Sequence, residues 1–374
     1  IALVTTLVYV PIQLGLEGNL TSRPHEVNLL LLFGLMVLLS VPFADDPAYS
    51  FNSFLDFLKV ILIFVVLVNV VRTESRWKVL VFLLLAISCF LSVSALRNYQ
   101  SGVHVVEGFR VKGSIGNMLE NPNDMALHLV TMLPISVGLL LSTRNQLAKL
   151  FYGICGILML GGIVVTFSRG GFLGLFCAAG VVIWKLRRRH RFLVVVATVV
   201  LAGAFIVFAP GAIADRFSSV FDKDQGSSVG ARKDDLKRSL LVTARHPIFG
   251  IGIGNYMFRS NRALATHNAY TQVSAELGVI ALVLYVLFII TPLKRLRLID
   301  QRHSTANVKT RYYYLAVTMQ ASLIGYMVSS FFASVAFLWY VYYLVGLALC
   351  LSRFYEIEQG IGVTNPVREI ALQS

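Results

Sequence analysis

Apolar residues in this chain come in long unbroken blocks, not at alternating or one-faced spacings. Blocks lie near 1–16, 27–42, 54–71, 77–96, 124–141, 147–167, 170–186, 192–209, 268–293, 312–331 and 334–352. A helix needs roughly 20 such residues to cross the hydrocarbon core of a bilayer. In lipid only helices and closed barrels satisfy their own backbone, and barrel strands would alternate in polarity. The pattern therefore predicts an all-α, polytopic helical membrane protein with about eleven spans. Residues 1–374 would form a single integral membrane domain. No soluble domain, heptad array or low-complexity segment interrupts the blocks.

Loop charge orients these spans. The loop after the third holds Arg72, Arg76 and Lys78, and that after the fifth Arg144 and Lys149. The loop after the seventh holds Lys185, Arg187, Arg188, Arg189 and Arg191, and that after the ninth Lys294, Arg295, Arg297, Arg302, Lys309 and Arg311. The loops after the second and tenth carry no Lys or Arg, and that after the sixth only Arg169. The positive-inside rule makes the odd-numbered loops cytoplasmic. Residue 1 would then lie outside, which predicts an earlier helix and about twelve in all. Two long intervals face outward, 97–123 and 210–267. The second is a larger loop between spans eight and nine that contains short helices.

Composition narrows the function. The chain is 56% hydrophobic with a mean hydropathy of +0.72, beyond what soluble domains carry. Its net charge of +14 would suit nucleic acid, but the basic residues sit in the short loops, as topology demands. Nucleic acid is therefore excluded as a partner. Cys89, Cys155, Cys177 and Cys350 all lie in apolar blocks without metal-ligand spacing and read as small core residues. The basic residues of 210–267 need another explanation, because long translocated loops escape the charge rule. Binding something acidic is one.

Candidate chemistry gathers on the outer side. Ser168-Arg169-Gly170-Gly171 opens the seventh span, whose free N–H groups and positive dipole end would face outward as an anion site. Arg169 can grip phosphate bidentately; the alternative is an arginine that snorkels to lipid headgroups. Ser228 can cap a helix from about Ala231 to Arg245, with Leu236, Leu240 and Ala244 on an apolar face resting on the membrane or the bundle. Arg232 falls in its first turn, either as a ligand for an anion or on a solvated charged face with Lys233, Lys237 and Arg238. Gly250, Gly252 and Gly254 read as a flexible turn returning the loop to the bilayer, since no strand–helix unit makes them a dinucleotide loop.

Thr266-His267-Asn268 opens the ninth span, and Thr271, Ser274 and Gly278 continue the face of His267 down that helix. Such a stripe either packs on a neighbour or lines a wet cavity. There a histidine can serve as a general base near neutral pH, or simply bond to backbone at the interface. Glu276 faces away from His267 and reads as a structural hydrogen-bonding group. Asn117, Asn121, Asn123 and Asp124 surround Pro122; Asn123 or Asp124 can cap the fifth span, with sugar binding as the alternative. His128 and Lys59 receive no role.

The order of these features resembles the O-antigen ligase and polymerase superfamily of bacterial membrane glycosyltransferases. The resemblance rests on Ser168-Arg169-Gly170-Gly171, Gly230-Ala231-Arg232, His246-Pro247 with Gly250, Gly252 and Gly254, His267-Asn268, Glu276-Leu277-Gly278 and Asn121-Pro122-Asn123-Asp124, over roughly 113–290. It implies an enzyme of the bacterial inner membrane whose active site faces the periplasm, so that 210–267 would be a periplasmic loop. The donor would be a glycan on undecaprenyl pyrophosphate. The acceptor would be a sugar hydroxyl, of lipid A–core in a ligase or of a second lipid-linked glycan in a polymerase; the compact outer loop leans the reading to ligase. No metal and no nucleotide-sugar cofactor is implied. Carried over by motif, Arg169 and Arg232 would bind the pyrophosphate, Ser168 and Asn268 would contact substrate, and His267 would assist the acceptor hydroxyl. A lipid or polysaccharide transporter is the rival class, but it calls for polar residues deep in several spans and open to both faces. A purely structural membrane partner would not need Arg169, Arg232 and His267 on one side.

Overall fold

The computed structural model describes residues 24–103, 105–106, 110–111, 113, 121–186, 192, 195, 228–259, 266–305 and 311–360. The expected spans near 1–16 and 192–209, and much of the 210–267 loop, lie outside the described residues. The rest forms an all-α bundle, and seven of its helices are long and apolar enough to cross a membrane.

The helices in chain order are α1 (His25–Ser40), α2 (Pro47–Val70), α3 (Glu74–Ser101), α4 (Pro122–Ser142), α5 (Gln146–Thr166), α6 (Arg169–Lys185), α7 (Ser228–Arg245), the short α8 (Tyr256–Arg259), α9 (Ala269–Thr305), α10 (Arg311–Ser329) and α11 (Trp339–Glu358). Side chains that cap the free N–H groups start several of them. Asp46 accepts from Tyr49, Thr73 from Arg76, Asn121 from Asn123, Asn145 from Leu147 and Ser168 from Gly171. Pro47 and Pro122 stand in the first turns of α2 and α4, where a missing N–H costs nothing.

Small residues bring the helices close, as membrane packing requires in the absence of a hydrophobic drive between helices. A Cβ on Gly138 would lie 2.1 Å from Thr318 Oγ1, and one on Gly174 would lie 2.0 Å from Ser329 Oγ. Phe33, Phe57, Phe64, Tyr285 and Phe288 fill the centre. A two-stranded antiparallel hairpin, β1 (Val105–Val106) and β2 (Arg110–Val111), interrupts the otherwise helical chain in the interval after α3.

The ninth expected span is not one straight helix. Gly278 has φ 87° and ψ 176°, and α9 breaks there into a short arm (269–277) and a long one. Tyr270 and Tyr285 would stand about 22 Å apart along a straight helix. Their rings lie 6.1 Å apart, so the short arm folds back towards the long one. The left-handed break also admits the loop after α7: Val279 N donates to Pro247 O at 2.8 Å, and a Cβ on Gly278 would meet Ile248 O at 2.3 Å.

Candidate functional site

The ends of α1, α3, α5 and α10 and the starts of α2, α4, α6, α9 and α11 share one face of the bundle. There the segment Ser330–Leu338, between α10 and α11, runs between α6 and the short arm of α9. On one side Gly170 rests on it. A Cβ there would come 2.6 Å from Phe332 Cβ, and Ser329 Oγ donates to Gly170 O at 3.2 Å. On the other side the His267 backbone N–H donates to Ser334 Oγ at 2.8 Å. Phe332 and Ser334 are two residues apart, at most about 7 Å of extended chain. The neighbours of Arg169 and His267 thus meet on the same short stretch.

Arg169 is exposed at the first position of α6 and, among the described residues, makes no hydrogen bond or ion pair. Ser168 is occupied: its Oγ accepts from Gly171 N at 3.2 Å and donates to Asn123 Oδ1 at 2.8 Å. His267 lies outside the helix in a left-handed conformation, φ 53°, sparsely adopted by a residue with a Cβ. It is half-buried. Asn268 Oδ1 caps α9, accepting from Tyr270 N at 2.9 Å and Thr271 N at 3.2 Å.

One expectation about this helix needs correction. His267, Thr271, Ser274 and Gly278 do not form one stripe down a span, because the helix starts at Ala269 and turns back at Gly278. Ser274 instead meets Thr243 of α7, their hydroxyls 3.0 Å apart. On α7, of the two alternatives for the apolar face, membrane or bundle, the residues turn away from the bundle. Ser239 and Val242 are buried, while Leu236, Leu240 and Leu241 are 40%, 52% and 50% exposed. Apolar residues pointing away from the bundle are what a helix in a bilayer interface requires.

Arg232 lies in the N-terminal part of α7, and its side chain lies outside the described residues. Further along α7, Thr243 meets Ser274 of the short arm, and just beyond α7 Pro247 O accepts from Val279 N.

The loop carrying Gly250, Gly252 and Gly254 is fixed, not flexible. All three have positive φ, 66°, 90° and 76°, which only glycine adopts freely. The loop wraps Glu276, whose carboxyl accepts the amides of Gly254 and Tyr256. The structural reading of Glu276 is correct in kind, but its partner is this loop. Arg259 of α8 donates twice to Asp45 before α2, which holds its guanidinium above its ordinary pKa, and stands 3.3 Å from His246 Nε2. Burial pushes the Tyr256 hydroxyl, which donates to Asp235 O at 2.9 Å, up to about 12.

Sequence reasoning missed Arg110. It is 7% exposed in the hairpin, with Nε donating to Thr166 O at 3.1 Å and Nη2 to Asn123 Oδ1 at 2.7 Å. Arg110 therefore ties the hairpin to the end of α5 and, through Asn123, to Ser168. The cap of α4 is Asn121, not Asn123 or Asp124, which frees Asn123 for this bridge. No sequence signal marks it. His128 is buried between Ser88 Oγ (3.0 Å) and Tyr343 OH (2.8 Å) within the helix packing, and Lys59 pairs with Asp56 of its own helix at the surface.

None of the curated proteins matches the chain. Residues 154–286 match the family model described as O-antigen ligase, a stretch that holds Ser168, Arg169, Arg232, His267, Asn268, the glycine loop and the fold-back at Gly278. That match supports the resemblance to the O-antigen ligase superfamily, whose members are glycosyltransferase-like enzymes of ligase and polymerase type.

Proposed function

We propose that this protein transfers a glycan from undecaprenyl pyrophosphate to an acceptor sugar hydroxyl at the periplasmic face of the bacterial inner membrane, as an O-antigen ligase with lipid A–core as acceptor. The acceptor oxygen attacks the anomeric carbon, the carbon–oxygen bond to pyrophosphate breaks, and undecaprenyl pyrophosphate leaves. His267 takes the hydroxyl proton. Arg169 and Arg232 offset the charge that grows on the departing pyrophosphate, and with two guanidinium groups in place no metal ion is needed. Ser168 fixes the start of α6, where the helix N-terminus adds to the anion field, and the Nδ2 of Asn268 faces substrate beside His267.

The observation that carries this reading is Arg169. It is an exposed arginine at a helix start, without a partner among the described residues, held through Gly170 and Phe332 on the segment that also holds His267. A merely structural arginine in a bundle this closely packed would have carbonyl or carboxylate partners, as Arg110 does. The test is transfer by the purified protein in detergent with EDTA, given the lipid-linked donor and one acceptor at a time. Glycan on lipid A–core identifies a ligase; a lengthened lipid-linked chain identifies a polymerase. No product with either, together with protein-dependent movement of donor between liposome leaflets, would replace the enzyme by a transporter.

A further inference from the structure

A second polar feature lies on the opposite face, where α4 and α11 end and α3 and α10 begin. A cavity of about 330 Å³ opens there, with Trp77, Leu139 and Phe354 as apolar walls and Lys78, Arg144 and Arg311 among its lining. That volume is in the range that small ligands or headgroups occupy. Its cations are not balanced. Glu74 is shared by Lys78 and Arg311, each 2.9 Å from the same oxygen, and Arg311 also reaches Glu358 at 2.8 Å. Arg144, in the turn between α4 and α5, is exposed and, among the described residues, has no hydrogen bond or ion pair. With Glu358 counted, three cations face two carboxylates.

We propose that this cavity binds a phosphate-bearing anion, with the headgroup of an anionic phospholipid as its source. Arg144 supplies the free planar donor that matches phosphate oxygens, and Lys78 and Arg311 add charge held in place by Glu74. The apolar walls suit the glycerol and first methylenes of a lipid better than they suit a free ion. The helix ends around the cavity lie at the level where headgroups meet the bundle, and anionic leaflets attract basic residues at that depth. The proposal is independent of the transfer reaction on the other face.

The full chain in detergent would be titrated with phosphatidylglycerol, phosphatidylcholine or sodium phosphate, with thermal midpoint and retained lipid by native mass spectrometry as readouts. Phosphatidylglycerol should stabilise it saturably. Arg144→Gln should weaken that binding about five- to tenfold, on the order of 1 kcal/mol for one arginine at a charged leaflet, and leave the midpoint without ligand unchanged. Arg297→Gln, an exposed cation on the same face outside the cavity, should behave as wild type. Saturable binding of sodium phosphate with the same dependence on Arg144 would support the phosphate site with a soluble source. Equal response to phosphatidylglycerol and phosphatidylcholine with none to phosphate, or equal loss in Arg144→Gln and Arg297→Gln, would overturn it.

Discussion

The carboxyl of Glu276 takes the backbone amide of Gly254 at 2.9 Å, and the same residue's backbone carbonyl takes Gly252 at 2.9 Å. A residue 3% exposed thus organises the whole turn after α7. Tyr256 N adds a longer bond at 3.4 Å. Glu276→Ala would keep the carbonyl bond to Gly252 but strand the amides of Gly254 and Tyr256, at about 3 kcal/mol in total. Glu276→Gln would lose less, since one oxygen still accepts. The thermal midpoint should fall in the order wild type, Gln, Ala, and protease should cut first within 246–259, where local opening would begin. Equal midpoints for all three would show that the loop stands without its carboxyl.

Two glycines separate conformation from contact. Gly278 and Gly102 both have positive φ, 87° and 68°. An added Cβ on Gly102 meets nothing within 4 Å, whereas on Gly278 it would meet Ile248 O at 2.3 Å and Pro247 O at 2.7 Å. Gly102→Ala should therefore cost only local strain, about 1–2 kcal/mol. Gly278→Ala also has to move the loop off the fold-back and should fail to give folded, monodisperse protein. Comparable midpoints for the two variants would contradict the fold-back.

The all-α, multi-span character was legible because span length is set by the bilayer and acts residue by residue. The stretch Asn121–Asp124 announced a helix start because capping is local chemistry, although the residue that caps is Asn121 and not Asn123 or Asp124. Gly278 was silent, because one glycine barely changes the hydropathy of the block around it and the break is fixed by Pro247 and Ile248 from another segment. Leu236 and Leu240 left two readings open, membrane or bundle, because in lipid an apolar face can point outward as well as inward. Arg169 and His267 could be named as candidates from residue type and position. That Gly170 and the His267 backbone rest on Phe332 and Ser334 depends on the turn after α10, which carries no motif.

Arg110 gives a test of the site's support. It bridges a carbonyl and a side-chain amide in a buried position, a geometry the guanidinium fork spans and an ammonium does not. Arg110→Lys should lose most of its contribution, and Arg110→Ala should leave Thr166 O unpaired at about 1–3 kcal/mol. Because Asn123 then loses its anchor beside Ser168, transfer should fall further than the midpoint predicts. Full activity in Arg110→Lys would mean that the hairpin does not position the start of α6.

Alkaline pH should loosen the α7 region through Tyr256. Its hydroxyl ionises at about 12 in the fold instead of 10 when unfolded, because burial disfavours the phenolate. The folded value is the higher one, so the stabilisation is complete below pH 10 and is lost as pH rises from 10 to 12. Tyr256→Phe removes the bond to Asp235 O, costs about 1 kcal/mol at neutral pH, and should abolish that part of the alkaline loss. Midpoints measured for both proteins between pH 7 and 11.5 should converge as pH rises; parallel curves would assign the alkaline loss to other groups.

The proposed roles imply an order of severity. Arg169→Ala removes an exposed side chain with no partner among the described residues, so the midpoint should not move while transfer falls by on the order of 3–4 kcal/mol in the barrier, by analogy with an oxyanion donor. Arg232→Ala should match it. His267→Ala should be milder: water or the departing phosphate can take the acceptor's proton, whereas nothing replaces a guanidinium on the pyrophosphate. Arg169→Lys should recover little, since one point charge does not reproduce two parallel bonds. The measurement is initial transfer rate at saturating donor, with the donor Kd determined separately. If His267→Ala is the most damaging, proton removal limits the reaction and the arginines serve mainly to bind.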